Sequence, residues 1–417
     1  MSTNAGNNKV APAPLPNNEW MPTSNKSGKY IKVGGCDDID FIESCACNDK
    51  FDDVRNDGNK NIYLPVLQKG KLVIYMWSVN KHTDTAEHIM DVALSDGTVT
   101  LSCYGSKLSD TGILWMCIFN TNMVIGCSMT SKTLVKEFLN IPCPNDLCLS
   151  KTDPDIMYTA CGTSFKAKTN GLLHIGLREN KAGGTDGDKD VVNVASFGQI
   201  CSINIKSGQV ETVHSKVNAL AGIECSTDHL VFTELYNFCE KEASKLTPGD
   251  KGVKATQVWH GTDVGGGKDC YLSDNITIYG EHSFLSAIYR KVDAKSGALM
   301  ENRGISAAGW LMGKVATICM NLMSCTVDGG LENPEVALVF SQQDEFKDCC
   351  FLIYDEQSKE VHHFRFSPPK QDGVMFDGHV THAHQHGDKL IFINFMSSHI
   401  LVLDASIVSD AKAAAPR

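Results

Sequence analysis

Four stretches of the chain place an amide, a carboxylate or a small residue at the head of an alternating apolar segment. Pro144-Asn145-Asp146-Leu147 opens PNDLCLSK, Ala221-Gly222-Ile223 lies in ALAGIEC, Ser273-Asp274-Asn275-Ile276 opens SDNITIYG, and VTHAHQHGDKLIFINF covers 380–395. Carboxylates and amide carbonyls are hard oxygen donors, the kind a calcium ion gathers six to eight at a time. Each phrase continues into a polar turn and a second apolar strand, so the repeating unit is an antiparallel strand pair. Its recurrence at intervals of roughly 50 to 110 residues predicts propeller blades with insertions, their inner strands facing one channel. Oxygen donors far apart in the chain then become neighbours, and hence candidate metal ligands.

His382, His384 and His386 alternate, so on a strand they share one face. With His362 and His363 they are the ingredients of a transition-metal site. Packing between blades is the preferred reading, ahead of acid–base work at the channel and of metal binding.

The elements that must position these groups are strands. KLVIYMW (71–77), LWMCIFNTNMVIGC (114–127), ICSINIKSGQVETV (200–213) and FLIYDEQSKEVHHF (351–364) show them, most as strand pairs around polar turns. One segment reads differently: Ile305, Ala308, Met312, Val315, Cys319 and Leu322 recur at helical spacing. This predicts a helix over 305–323 lying across the channel mouth, with Trp310 on its polar side. Lys314 and two glycines argue against a membrane span there; a helix lying on a membrane surface is the alternative. Residues 178–190 and 245–269 are Gly- and charge-rich and read as surface loops. Asp186, Asp188 and Asp190 imitate a calcium loop, but Val191 and Phe197 stand where its Gly and Glu belong. GGGK (265–268) is no phosphate loop, because Asp269 follows the lysine.

The 417-residue chain carries a formal charge of −11, which excludes the basic footprint that nucleic acid requires. Residues 1–28 are rich in Asn, Pro, Ser and Gly without an apolar run, predicting a disordered arm and a cytoplasmic protein. A propeller over 29–405 and a flexible tail over 406–417 complete the expected organisation. The 17 cysteines are odd in number, so they cannot all pair within the chain. Cys103, Cys117, Cys127 and Cys201 fall on strand faces and are expected as structural thiols. Cys36 and the Cys45-Ala46-Cys47 run lack the CxxC spacing of a zinc site.

The segment 198–235, GQICSINIKSGQVETVHSKVNALAGIECSTDHLVFTEL, resembles the strictosidine synthase-like branch of the calcium-dependent phosphotriesterase superfamily. CYLSDNI (270–276) is similar to that family's PDNI motif, and HAHQHGDKLIFINF (382–395) resembles its closing segment. The likeness spans roughly residues 40–405, in four motifs in the right order. It implies an all-β, six-bladed propeller, closed by pairing residues near 30–45 with the strand at 389–405. Relatives include paraoxonases, gluconolactonases and regucalcin, many of which hydrolyse lactones or esters with a central calcium.

Carried over residue by residue, the resemblance implies Glu43, Asn145, Asp274 and Asn275 as ligands of calcium or another divalent cation. Ala221 stands where the family has a further asparagine. The implied activity is hydrolysis of a small ester or lactone, the ion polarising the carbonyl. Water would be activated by a histidine, His384 or His88, or by a metal-bound carboxylate. Gln385 occupies the place of the catalytic glutamate of strictosidine synthases, and a neutral amide cannot shuttle a proton. A lyase or synthase is thereby disfavoured. A non-catalytic propeller with a structural ion is the other alternative.

Overall fold

The computed structural model describes residues 28–34, 39–42, 44–55, 58–81, 83–97, 103–161, 198–217, 220–225, 229–237, 285–308, 349–354, 361–374, 376, 382–394 and 397–414. It also describes short strands at 19–20, 165–166, 193–194, 253–255, 258–260, 271–273, 276–278, 321–325 and 335–339.

Among these residues, four-stranded antiparallel units follow one another in chain order. Their first strands are Ile39–Ile42 (sheet I), Ser106–Leu108 (sheet II), Pro144–Leu149 (sheet III), Leu220–Cys225 (sheet IV), Asn321–Cys325 (sheet V) and His382–His386 (sheet VI). Sheets I and VI touch at their outer edges through a short parallel pairing, Lys32 with Thr85 and Val33 with Ala86. The fourth strand of sheet VI comes from the other end of the chain. Lys29–Val33 runs antiparallel to His399–Asp404, with Lys29 opposite Val402 and Ile31 opposite Ile400. This is the closure expected from the sequence, and it removes the free edge that an open array would leave. The fold is an all-β propeller.

Strand composition explains the stacking. In Asn61–Gln68 every residue but the last is buried, as a strand covered on both faces requires. Lys69 and Gly70, with φ of 50° and 72°, form the two-residue turn to Lys71–Ser78. Among the described residues, four seams between successive sheets each have their own apolar cluster. Leu72, Ile74, Leu114, Met116 and Ile125 fill the seam of sheets I and II. Trp115, Val124, Met157 and Ile203 fill that of II and III, and Cys148, Ala160, Ile223 and Phe232 that of III and IV. Ile31, Ile391, Ile393 and Ile400 meet Ile62, Leu64 and Trp77 between VI and I.

Four expectations need correction. The predicted helix over 305–323 is absent wherever the segment is described. Residues 305–308 end the strand Leu299–Ala308, and 321–323 begin Asn321–Cys325. A β-bulge opens the segment: Ser306 pairs with Ala287 and Gly304 with Ile288, so Ile305 is an extra residue in the register. An inserted residue breaks period two and mimics helical spacing. Residues 309–320, Trp310 included, lie outside the described residues.

Residues 406–414, expected as a flexible tail, form the helix Ser406–Ala414, with Ile407, Val408 and Ala411 buried against Tyr30, Phe366 and Leu403. The segment 245–269, read as a loop, contains Val253–Ala255 and Val258–His260. These pair with Ile276–Ile278 and Tyr271–Ser273. All four strands belong to an excursion between the second and third strands of sheet IV. In the expected N-terminal arm, Glu19–Trp20 pairs in parallel with Val361–Phe366.

Candidate functional site

The inner strands meet at a lysine. Lys107, on the first strand of sheet II, forms an ion pair with Glu224, on the first strand of sheet IV. Sheet III lies between these two in the array, so the pair bridges inner strands across a blade rather than along a seam. Asp146, on the first strand of sheet III, is close enough to raise the Lys107 pKa further. Lys107 also influences Cys45 and Cys47 beside sheet I, Cys148 on sheet III, and His382 and His384 on sheet VI. Groups from four other sheets thus lie within electrostatic reach of one ammonium, which places it in the channel. Burial works against its charge, but Glu224 and Asp146 outweigh that and hold its pKa above the usual lysine range.

Asp146 joins three blades. Its carboxylate accepts from the amides of Leu147, at 2.8 Å, and of Ile223 in sheet IV, at 3.0 Å. Gly105 of sheet II lies against it, where a Cβ would stand 2.3 Å from Oδ1 and 2.6 Å from the Asp146 Cα. Only glycine permits that approach. Burial pushes the Asp146 carboxyl up to about 6, opposed by Lys107 and the two amides.

On the far side, His384 Nε2 lies 3.0 Å from Cys47 Sγ. Burial, Cys45 and Asp49 hold the Cys47 thiol well above its ordinary range. Burial and Lys107 hold the His384 imidazole well below its own. The resting pair is therefore a neutral thiol hydrogen-bonded to a neutral imidazole. His382 stacks on His384, ring centroids 6.3 Å apart, and is held down to about 3 by burial and then by Lys107. His386 Nε2 sits 3.6 Å from Asp52 Oδ2. Asp52 is itself bonded to the backbone and side-chain nitrogens of Asn61 at 3.0 and 2.9 Å.

His384 thus lies at the channel. His88 lies at the rim, on the outermost strand of sheet I, exposed and 2.8 Å from Asp91. The structure does not bring these two histidines together. Asn145 is half-buried on the first strand of sheet III. Glu43, Asp274 and Asn275 lie outside the described residues. The strands flanking the last two, Tyr271–Ser273 and Ile276–Ile278, belong to the excursion within sheet IV rather than to an inner strand. Ala221 is on the inner strand of sheet IV, in the same run as Glu224. Gln385 donates to the carbonyl of Gly387 in its own turn, at 3.1 Å. Sequence reasoning missed Lys107, Glu224 and the pairing of Cys47 with His384. Glu224 carried one signal, its place in the ALAGIEC phrase; Lys107 in GSKL carried none.

The donors described around Lys107 are not a calcium set. Glu224 is taken by Lys107 and Asp146 by two backbone amides, while Cys45, Cys47, His382 and His384 are sulfur and nitrogen donors. Among the described residues no group of three or more His, Cys, Asp or Glu side chains is arranged to hold a metal ion. Ten cysteines whose side chains are described are free thiols, nine of them buried. Among the described residues no helix is long and apolar enough to cross a membrane.

No family model matches the chain, and no curated protein matches it. Solved structures do resemble it. The structure of U3-55K aligns with a TM-score of 0.45 and 10% identity, over 90% of this chain and 98% of that one. The crystal structure of RRP9 WD40 repeats gives 0.45 and 10%, over 90% and 97%. The crystal structure of a mitotic checkpoint complex gives 0.42 and 10%, over 94% and 95%. These are likenesses of fold.

Proposed function

We propose that this chain is a non-catalytic β-propeller, a scaffold that acts by presenting the loops of its faces to partners. The observation that carries this reading is the state of His384, the one of the two histidines named from the sequence that lies at the channel. A general base works best with a pKa near the operating pH. His384 is held well below that range and is already engaged by the protonated thiol of Cys47. A thiol acts as a nucleophile only as thiolate, and burial and nearby acids oppose its formation. His88, at the rim, pairs with Asp91 instead. Buried free thiols suit a reducing compartment, and the cytoplasm is the proposed location.

The rival, drawn from the sequence resemblance, is calcium-dependent hydrolysis of a small ester or lactone. A panel of aryl esters and lactones decides between the two, assayed with added calcium and with chelator. The scaffold reading expects no turnover above the buffer rate in either condition. Turnover that His384→Gln abolishes, in a variant that unfolds at the same temperature as the parent, would overturn it.

A further inference from the structure

We infer that the ammonium of Lys107 is the channel's resident cation, so that the protein supplies from its own chain the positive charge that the sequence resemblance assigns to calcium. The inference deepens the scaffold reading and concerns the same channel. Its first support is position. Lys107 bridges to Glu224 from a sheet two places away and lies within electrostatic reach of Asp146 on the sheet between them. Groups on sheets I and VI feel its charge as well. Two carboxylates from successive blades facing one cation is the arrangement a divalent ion would require, with an ammonium at its centre.

The second support is charge balance. With Asp146 ionised, Lys107, Glu224 and Asp146 carry a net charge of −1; with Asp146 protonated, they carry none. A dication beside Lys107 would meet like charge at short range, where little water screens it. The third support is donor type, since the neighbouring thiols and imidazoles are poor calcium ligands. Side chains on strands are held there by the sheet itself, so this cation does not dissociate and no chelator removes it.

The experiment uses the full chain. Metal content is measured by elemental analysis after dialysis, and thermal unfolding is followed with calcium chloride, with EGTA and with neither. The expected result for the parent protein is less than stoichiometric metal and one unfolding midpoint in all three conditions. Lys107→Met leaves two carboxylates facing each other without a counter-charge. Its midpoint should fall, and calcium chloride should raise it while leaving the parent and Lys107→Arg unmoved. Stoichiometric calcium in the parent, or a parent midpoint lowered by EGTA, overturns the inference even if Lys107→Met does not fold. So does a folded Lys107→Met whose midpoint calcium leaves unchanged. Ester turnover by metal-free, EGTA-insensitive parent protein would sink the scaffold reading and leave the assignment of Lys107 standing.

Discussion

Replacing His382 by glutamine measures how strongly the channel refuses a proton. In an unfolded chain the imidazole titrates near 6.5; in the folded protein burial and then Lys107 hold it down to about 3. Because the folded value is depressed, the histidine's contribution is intact above pH 6.5 and is lost as pH falls toward 3. The unfolded state takes up a proton that the folded state declines. At pH 5 that difference is roughly RT ln 32, or about 2 kcal/mol, and at pH 8 it is close to zero. The assay is urea unfolding of parent and His382→Gln at both pH values. Glutamine carries its own packing cost, but that cost does not depend on pH and cancels when the two pH values are compared within each protein. His384 remains in both proteins and cancels likewise. The variant should therefore lose about 2 kcal/mol less than the parent between pH 8 and pH 5. Equal losses would refute the burial of His382 beside a fixed cation, and with it the arrangement around Lys107.

Asp146 should show the opposite sign. Its folded value, about 6 against an ordinary 3.8, makes its contribution present at low pH and lost as pH rises through about 6. Asp146→Asn should cost roughly 1.4 kcal/mol more at pH 5 than at pH 8 by urea unfolding, and a cost independent of pH would refute the shift. Gly126→Ala should destabilise by about 1–3 kcal/mol, because the new methyl would lie 2.5 Å from the Trp115 ring in the seam of sheets II and III. Urea unfolding followed by tryptophan fluorescence measures it, and an unchanged midpoint would show that the seam is loose. Ile407→Ala should cost about 2–5 kcal/mol in the same assay, since Ile407 is only 2% exposed in its cluster. A loss under about 0.5 kcal/mol would restore the flexible-tail reading.

The sequence by itself determined the class of fold and its closure. Period-two alternation is a local property, written in residues such as Ile200 to Ile205, and it needs no partner to be read. The same holds for three of the four repeated phrases, since PNDLCL, LAGIEC and HAHQH all became inner strands. SDNI carries the same local signal, yet its flanking strands pair within an excursion, because alternation does not say which strand will be the neighbour. The helix expected from Ile305 failed at its start for a related reason: the bulge at Ile305 exists only in register with Ala287 and Ile288. The C-terminal helix was missed because its apolar face is decided by what it covers, Tyr30 and Phe366 from the two ends of the chain. Lys107 and Glu224 stand 117 residues apart, and no spacing rule connects them. Their meeting depends on the order of sheets around the ring and on the register of each inner strand. Only the tertiary structure decides those, because a channel is a surface that no single segment of the chain possesses.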